Sequence, residues 1–377
     1  MKTDLNYITL YPNIIPVRGY SRSILMDLNM GKFLFIPNYF CDFLIENKTK
    51  NLQKVDFLNF GNSENDVDEI NRLVDLLIQE DYLTEVDSKL LSGLKVEVPF
   101  ITDDTLISDC IIEISNLSSW NISVFLAKIN TLGVKFLEIR FLDFTSFEKH
   151  YKKIQFDLTD HSIEFLHFIV PGDDNLNEII SNEMMTFHRL NQLTIYNSKG
   201  KFEIEGVPFI LSFSTQNSID NSNCGCINPS QFNCNIASYY ANKKSNNCLS
   251  QKLSIDQYGD IKNCPSKKES FGKLETVNLE RTVQLNEFRK EWHITKESIL
   301  VCSDCELRWM CSDCRVFIQD ESNPLSKPSK CGYNPYINKW INEEGYLSES
   351  ECGVSIVDNR LTIDQVKLNE INSELWG

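Results

Sequence analysis

The cysteines of this chain are distributed very unevenly, and their placement constrains the fold more than any other feature. Thirteen of the 377 residues are cysteine, and eleven of these fall between Cys224 and Cys352. Only Cys41 and Cys110 precede them, and both are expected to be buried apolar side chains. Cysteines concentrated in one stretch are typical of metal ligands or redox groups when the compartment is reducing. The sequence therefore divides into a part of ordinary composition and a thiol-dense module.

Charge and hydropathy limit the compartment and the partners. The protein carries 53 acidic and 37 basic side chains, a net charge of −16, which disfavours nucleic acid and anionic membranes. No apolar run is long enough for a membrane span, and the N-terminal residues lack the apolar segment of a signal peptide. We therefore expect a cytoplasmic protein with no membrane partner, in which structural disulfides are disfavoured.

Residues 1–88 are expected to form a small winged-helix-like α+β domain, with a plain α+β packing domain as the alternative. Tyr7–Tyr11, Tyr20–Leu28 and Phe33–Ile36 are β-prone, and Gly31 supplies a hairpin turn before the last of them. A helix follows, capped around residues 65–68. Its apolar residues fall on one face: Ile70, Leu73, Val74, Leu77 and Ile78.

Residues 89–222 alternate between strand and helix patterns, which favours βαβ units with a parallel sheet or a partial (βα) barrel. The predicted strands are 107–115, 134–142, 164–170, 192–196 and 209–213, and the predicted helices cover 122–132 and the region around 176–187. No glycine-rich phosphate loop or nucleophile elbow occurs here. The scattered histidines are expected to be surface or packing residues: His150, His161, His167 and His188.

Residues 223–340 carry the chemistry. Cys248 and Cys264 flank a β-hairpin pattern with Gly259 at its turn. Five cysteines follow in two Cys-x2-Cys pairs and one single position: Cys302, Cys305, Cys311, Cys314 and Cys331. A Cys-x2-Cys turn brings two sulfur atoms close together, as a metal centre requires. Zinc and iron–sulfur clusters both use such thiolates, and spacing alone leaves the two open.

The cysteine spacing resembles that of the SPASM domain, the auxiliary iron–sulfur module of peptide-modifying radical S-adenosylmethionine enzymes. The matching pattern is Cys248-x10-Gly259-x4-Cys264, then Cys302-x2-Cys305-x5-Cys311-x2-Cys314, then Cys331. SPASM domains usually have three residues between the last two cysteines of the inner group, whereas this protein has two. Three stretches further resemble the maturases of grasp-with-spasm systems, which accompany an ATP-grasp ligase and a precursor peptide: Asn263–Pro265, Cys305–Arg315 and Lys330–Pro335.

This resemblance implies two [4Fe–4S] clusters. One would be bound by Cys302, Cys305, Cys311 and Cys331. The other would be bound by Cys248, Cys264, Cys314 and one upstream cysteine, for which Cys224 is the first choice and Cys226 the alternative.

One family motif is missing from the sequence. Radical S-adenosylmethionine enzymes hold their catalytic cluster through a Cys-x3-Cys-x2-Cys loop after the first barrel strand, and no such triplet occurs among the 377 residues. Cys110 is the only thiol near that strand, and it is expected to lie within it. The resemblance therefore implies a degenerate partial barrel that lacks the radical cluster and does not cleave S-adenosylmethionine.

The function implied is maturation of a ribosomally synthesised, post-translationally modified peptide together with an ATP-grasp ligase. The N-terminal domain is similar in order to the leader-recognition elements of such pathways, in which a leader peptide adds a strand to a sheet edge. The candidate edge strand consists of Lys32, Phe33, Leu34, Phe35 and Ile36, although the protein itself is an alternative occupant of that edge. Two other functions stay open, an iron–sulfur redox enzyme acting on a peptide side chain and a zinc-stabilised interaction protein. The tail, residues 341–377, has a helical pattern from Val354 onward.

Overall fold

The computed structural model describes most of the protein. The described residues are 7–47, 52–53, 56–57, 59, 64–86, 105–159, 161–197, 206–214, 216–219 and 224–377. The predicted domain boundaries at 88/89 and 222/223 lie outside the described residues.

Two small antiparallel sheets form the N-terminal domain. One pairs β1 (Tyr7–Leu10) with β5 (Leu83–Val86). The other contains β2 (Ile14–Val17), β3 (Ser23–Asp27) and β4 (Lys32–Ile36) in that order. The predicted turn before β4 is confirmed, with Gly31 at a φ of 70°, where a side chain would be strained. Strand β2 was not predicted from the sequence.

Helices α1 (Asn38–Glu46) and α2 (Glu64–Gln79) cover these sheets. The predicted apolar face of α2 is confirmed, because Ile70, Val74 and Leu77 are buried in the domain core, and Leu73 and Ile78 pack against that core half-buried. The arrangement is an α+β domain.

A seven-stranded sheet forms the centre of the molecule. Its strands in sequence order are β6 (Asp109–Ile114), β7 (Phe136–Phe141), β8 (Phe165–Pro171), β9 (Leu190–Tyr196), β10 (Ile210–Phe213), β11 (Lys252–Ile255) and β12 (Ile261–Lys262). Strands β6 to β10 are parallel neighbours in sequence order, as the alternating pattern predicts. The spatial order is β10-β9-β8-β7-β6-β11-β12, so the sheet runs from β10 at one edge to β12 at the other.

The connecting helices are α3 (Ile122–Thr131), α4 (Phe144–Asp157) and α5 (Leu176–Asn182). Asn121 and Asp143 are the N-cap residues of α3 and α4, because their side chains accept hydrogen bonds from backbone N–H groups in the first turn of each helix. Along β6 the residues Cys110, Ile112 and Ile114 are buried in the central core. Cys110 therefore lies within the strand as a buried apolar side chain, as predicted.

The hairpin between Cys248 and Cys264 is confirmed and has a second role. Strands β11 and β12 pair antiparallel, and Gly259 in the turn has a φ of 78°. In addition, β11 pairs in parallel with β6, with Lys252 opposite Asp109. The thiol-dense part of the sequence thus contributes the last two strands of the central sheet.

The rest of the thiol-dense region is rich in loops. Its short elements are α6 (Ile236–Lys244), α7 (Leu279–Thr282), α8 (Asn286–Arg289), β13 (Tyr333–Asn334) and β14 (Lys339–Trp340). Residues Cys302–Asp304 form a single 3₁₀ turn. With so little regular structure, the packing of buried side chains supplies much of the order here.

The C-terminal tail departs from the helical pattern expected from Val354 onward. A hairpin comes first, β15 (Val354–Val357) and β16 (Arg360–Ile363), and only then helix α9 (Gln365–Trp376). The turn residues Asp358 and Asn359 have φ values of 50° and 59°, as a tight hairpin turn requires. Within the residues described, no helix is long and apolar enough to cross a membrane.

Candidate functional site

Four of the predicted ligands line one small cavity. Cys302, Cys305, Cys311 and Cys331, here called the first thiol group, surround a space of about 30 Å³. They come from a Cys-x2-Cys turn, the start of the next such turn and a loop twenty residues after Cys311. The structure thus brings together residues that the sequence spreads over 30 positions.

The backbone before Cys302 is strained. Val301 has a φ of 68°, in the left-handed region that a β-branched residue rarely adopts. Its side chain is buried and lines the same cavity. The Cys302 turn is closed by the N–H of Cys305, which donates to the carbonyl of Cys302 over 3.1 Å. Strain of this kind is found where the surrounding structure holds a functional loop in place.

Two buried lysines also line the cavity. The Lys296 ammonium lies 3.6 Å from Cys311 Sγ and 3.7 Å from Asp313 Oδ1, and it donates to the carbonyl of Ser312 over 3.1 Å. Lys327 donates to the carbonyl of Tyr333 over 2.7 Å and pairs with Glu349. Burying an ammonium costs free energy unless negative charge balances it. Here Asp313 and Glu349 supply negative charge to the two ammonium groups.

The pKa values of the thiols fit this description. Burial is the largest cause and raises the pKa of Cys302 to about 12 and that of Cys311 to about 11, while Lys296 acts in the opposite direction on both. For Lys296 burial works against the charged form, but the attraction of Cys311 and Asp313 outweighs it and raises the pKa. Metal binding would therefore release protons from these thiols.

The other four predicted ligands also lie together, as a second thiol group of Cys224, Cys248, Cys264 and Cys314. Burial raises the pKa of Cys248 to about 12, Lys252 opposes this rise, and the thiols of the other three members raise it further. Gly225 (φ 74°) approaches Cys314 so closely that a Cβ added to it would lie 2.9 Å from the sulfur. Only glycine permits this approach of the backbone to the thiol.

The two thiol groups are neighbours. Ile227, just after the second group's Cys224, forms a parallel bridge with Cys331 of the first group. The Lys330 ammonium donates to the carbonyl of Cys224 over 2.7 Å. Cys226 lies between Cys224 and Ile227 in the sequence, so both candidates for the upstream ligand are carried by the segment that joins the groups.

All thirteen cysteines are described and none forms a disulfide. Within the described ranges, no three His, Cys, Asp or Glu side chains are close enough together to hold one metal ion. Cys41 and Cys352 are fully buried, the first in the N-terminal core and the second beside Val354. Cys234 is also buried, and its thiol donates to the carbonyl of Lys32 over 3.3 Å. The identity of the ligands in both thiol groups stays a prediction.

The predicted peptide-binding strand is an edge strand. Among the described residues, β4 pairs with β3 alone. The N–H of Leu28, just after β3, donates to the carbonyl of Asn13, just before β2, so the backbone of Leu28 faces β2. Because the backbone groups of successive strand residues point to alternate sides, the backbone of Leu25 faces β4. Leu34 opposite Leu25 therefore points its N–H towards β3, whereas Phe33 and Phe35 direct theirs to the free edge. Phe35 is 42% exposed.

The edge strand is connected to the first thiol group through side chains. Phe33 packs in the same hydrophobic cluster as Cys305 and Cys331. The Arg22 guanidinium lies 3.6 Å from the centre of the Phe35 ring and donates to Glu306 over 2.8 Å. Glu306 follows Cys305 directly, is fully buried, and also accepts a hydrogen bond from Tyr333 over 2.5 Å.

A polar row on the central sheet was not found from the sequence. Arg140 on β7 pairs with Glu138 at 2.6 Å and lies 3.8 Å from Glu113 on β6. On β8, His167 lies 3.3 Å from Glu138 through Nδ1 and 2.8 Å from Thr194 Oγ1 through Nε2. These half-buried side chains occupy alternate strand positions and share one face, so His167 belongs to a network rather than to the packing or the surface. The sequence signal that could have revealed this row is the alternation of polar and apolar residues along adjacent strands.

This row reaches the second thiol group. Burial opposes the charge of Arg140, but Glu138, Glu113 and the thiol of Cys224 together raise its pKa. For Glu138, burial raises the pKa, yet His167 and Arg140 lower it by more, to about 2. Arg140 of the polar row thus lies near enough to Cys224 for this thiol to contribute to the pKa of Arg140.

The similarity of this protein to known proteins lies among solved structures. No protein-family model matches this sequence, and no curated protein matches it. Among solved structures it is similar to Streptococcus suis SuiB bound to S-adenosylmethionine, with 9% identity and a TM-score of 0.34 over 85% of this protein and 99% of that one. It is also similar to SuiB bound to precursor peptide SuiA, with 10% identity and a TM-score of 0.30 over the same shares. The heterocyclase TruD matches 41% of this protein and 24% of its own length, with 12% identity and a TM-score of 0.18. TM-scores this low do not establish a shared fold.

Proposed function

We propose that this protein is a maturation protein for a ribosomally synthesised, post-translationally modified peptide, that it holds two [4Fe–4S] clusters, and that it works with an ATP-grasp ligase without cleaving S-adenosylmethionine. The observation that supports the proposal is that an edge strand and a thiol-lined cavity pack against one hydrophobic cluster. Phe33 of β4 packs in one hydrophobic cluster with Cys305 and Cys331, which line that cavity. A peptide added to the edge would lie beside the candidate metal centre.

The donor sets suit iron–sulfur clusters. Each group offers four thiols, and thiolates are the ligands that [4Fe–4S] clusters take. When bound, such a cluster supplies a centre that can accept or donate an electron. The cysteines of each group would hold it, and Lys296 and Lys327 at the first group and Lys252 at the second would help to balance its negative charge. The zinc-stabilised interaction protein stays the alternative for the same thiols.

The edge strand suits peptide recognition by strand addition. The outward N–H groups of Phe33 and Phe35 would pair with the carbonyls of a leader peptide, and alternate side chains of that peptide would meet the strand's apolar surface. The ATP-grasp ligase would form the ester or amide bonds between precursor side chains. The role of the present protein is then to bind the precursor and orient it.

The test is a titration with a precursor peptide and an ATP-grasp ligase from the same genome. Phe35→Pro removes the outward N–H, a change that an edge strand tolerates, and Phe35→Ala is the matched control that keeps this N–H. We expect Phe35→Pro to abolish precursor binding and Phe35→Ala to weaken it only slightly. Equal binding by both variants would exclude strand addition at β4. If the intact protein binds neither precursor nor ligase, the maturation proposal fails.

A second candidate function is an iron–sulfur redox enzyme acting on a peptide side chain. The polar row of Glu138, Arg140 and His167 favours it, because these side chains could hold a substrate side chain near the second thiol group. Product analysis of the precursor after anaerobic incubation with a reductant distinguishes the two functions. A mass change without the ligase would indicate the redox enzyme.

A further inference from the structure

At the β9 and β10 end of the polar row, hydrogen bonds join a carboxylate, an imidazole and two hydroxyl groups. His167 lies 3.3 Å from Glu138 Oε2 through Nδ1 and 2.8 Å from Thr194 Oγ1 through Nε2. Thr194 Oγ1 in turn lies 2.8 Å from Ser212 Oγ. Carboxylate, imidazole and hydroxyl follow one another in the order found in the triads of serine hydrolases. We call Glu138, His167 and Thr194 the sheet triad.

The parallel sheet places these side chains on one face. Glu138 on β7 is opposite His167 on β8 in the strand register, and His167 is opposite Gln192 on β9. Thr194 comes two residues after Gln192, so the two side chains point to the same side of β9. Three neighbouring strands thus carry the sheet triad, whereas a nucleophile elbow is absent from the sequence. Triads are defined by geometry and by the role of each group, and they occur on unrelated folds.

The hydrogen bonds assign a tautomer to His167. His167 and Arg140 lower the pKa of Glu138 to about 2 against the effect of burial, so this carboxylate is ionised near neutral pH and only accepts hydrogen bonds. Nδ1 of His167 must then carry the proton, which leaves Nε2 to accept the hydroxyl proton of Thr194. Arg140 Nε donates to Glu138 Oε1 over 2.6 Å and so holds the other carboxylate oxygen. The basic nitrogen of the imidazole therefore faces Thr194, as a general base requires.

A donor for a developing negative charge lies beside the hydroxyl. Gln192 Nε2 is 3.5 Å from Thr194 Oγ1, so its N–H groups can donate to an oxyanion that forms next to this atom. The side chains of His167 and Glu138 are 16% and 25% exposed, and Thr194 is half-buried. A single side-chain donor suits an ester better than an amide, because the alcohol of an ester is the better leaving group.

We propose that the sheet triad hydrolyses a carboxylic ester, with Thr194 as the nucleophile, His167 as the general base and Glu138 as the positioning residue that orients His167. Thr194 Oγ1 bonds to the carbonyl carbon while its proton passes to His167 Nε2. The ester C–O bond then breaks, and the alcohol leaves with that proton. A water molecule attacks the acyl group on Thr194, with His167 again as the base, so the acid leaves and the hydroxyl regains its proton. This activity goes beyond the proposed maturation function and does not depend on it.

The experiment measures hydrolysis of p-nitrophenyl acetate by the full-length protein, and its labelling by diisopropyl fluorophosphate, which phosphorylates activated hydroxyl groups. We expect a single label, located on Thr194 by mass spectrometry of peptides. Thr194→Val keeps the shape of the side chain without its hydroxyl, and it should lower ester hydrolysis about 100-fold or more, as should His167→Gln. Thr194→Ser keeps a hydroxyl and should retain both activity and labelling. His188→Gln, at an exposed histidine outside the sheet triad, should leave both unchanged.

Thiols also react with such esters, but every one of these variants keeps the thirteen cysteines, so this background is common to them. Three results would overturn the proposal: a label on a residue other than Thr194, no label, and equal ester hydrolysis by the intact protein and by Thr194→Val. Labelling is done on the unaltered protein, so it decides the question even if a variant fails to fold.

Discussion

The ammonium of Lys296 lies 3.6 Å from the sulfur of Cys311, and both groups are buried. A positive charge held this close to a candidate ligand stabilises the reduced, more negative state of any redox centre there. The contact therefore makes the electrochemistry of the first thiol group testable.

Lys296→Met should lower the reduction potential of the centre by on the order of 100 mV, because one charge at this distance contributes a few kcal/mol. Asp313 keeps Arg315 as a partner, at 2.7 Å, so the fold should survive. Lys290→Met is the control, since Lys290 is exposed and pairs with Glu269. Potentiometric titration followed by electron paramagnetic resonance measures the shift. An unchanged potential would show that Lys296 does not face the centre.

The ion pair between Arg22 and Glu306 should behave as a buried pair. Arg22→Met leaves the fully buried Glu306 carboxylate without its cation, which we expect to cost about 3 kcal/mol of unfolding free energy. Adding Glu306→Gln removes the stranded charge and should restore part of that loss. Urea unfolding of the two single variants and the double variant gives the coupling. A double variant as unstable as the sum of the singles would contradict the pairing.

Gly225→Ala should disrupt the second thiol group. The new Cβ would meet Cys314 Sγ at 2.9 Å, in addition to the strain of a positive φ. Gly206→Ala is a matched control, because Gly206 has a φ of 73° and no atom of the described residues lies within 4 Å of an added Cβ, so it carries the backbone strain of about 1–2 kcal/mol. Metal content is the readout. We expect Gly225→Ala to lose about half the metal of the intact protein, and equal loss in both variants would reject the steric explanation.

Glu138 should make stability depend on pH in the acid range. The pKa of Glu138 falls from 4.5 to about 2 on folding. Its contribution to the free energy of unfolding is therefore complete above pH 4.5 and is lost as the pH falls towards 2. This fall corresponds to at most about 3 kcal/mol. Glu138→Gln should flatten the unfolding free energy over that range compared with the intact protein, measured by urea unfolding at a series of pH values. Parallel curves for the two proteins would contradict the network with His167 and Arg140.

The local elements of this fold could be predicted from the sequence because their signals are local. Alternating patterns identify β6, α3 and β7, and Gly31 and Gly259 mark two turns. In the tail, the sequence indicated a helix from Val354 onward, but the Asp358-Asn359 turn closes a hairpin first, and the helix begins only after Asp364.

Contacts between residues that are far apart in the sequence could not be predicted in this way. The pairing of Lys252 with Asp109 joins residues 143 positions apart, and no local pattern specifies it. From the sequence alone, Lys296 cannot be distinguished from a surface lysine, whereas the fold buries it beside Cys311. The place of His167 in the polar row follows only from the strand register, which sets Glu138 opposite it.

The most direct test of the account is metal analysis of the intact protein purified without oxygen. Two [4Fe–4S] clusters predict about eight iron and eight sulfide per protein molecule, little zinc, and the visible absorbance of iron–sulfur centres. Cys311→Ala should lose about half of this iron, whereas Cys352→Ala, a buried cysteine outside both thiol groups, should lose none. Stoichiometric zinc without iron, or an iron content that Cys311→Ala leaves unchanged, would contradict the account.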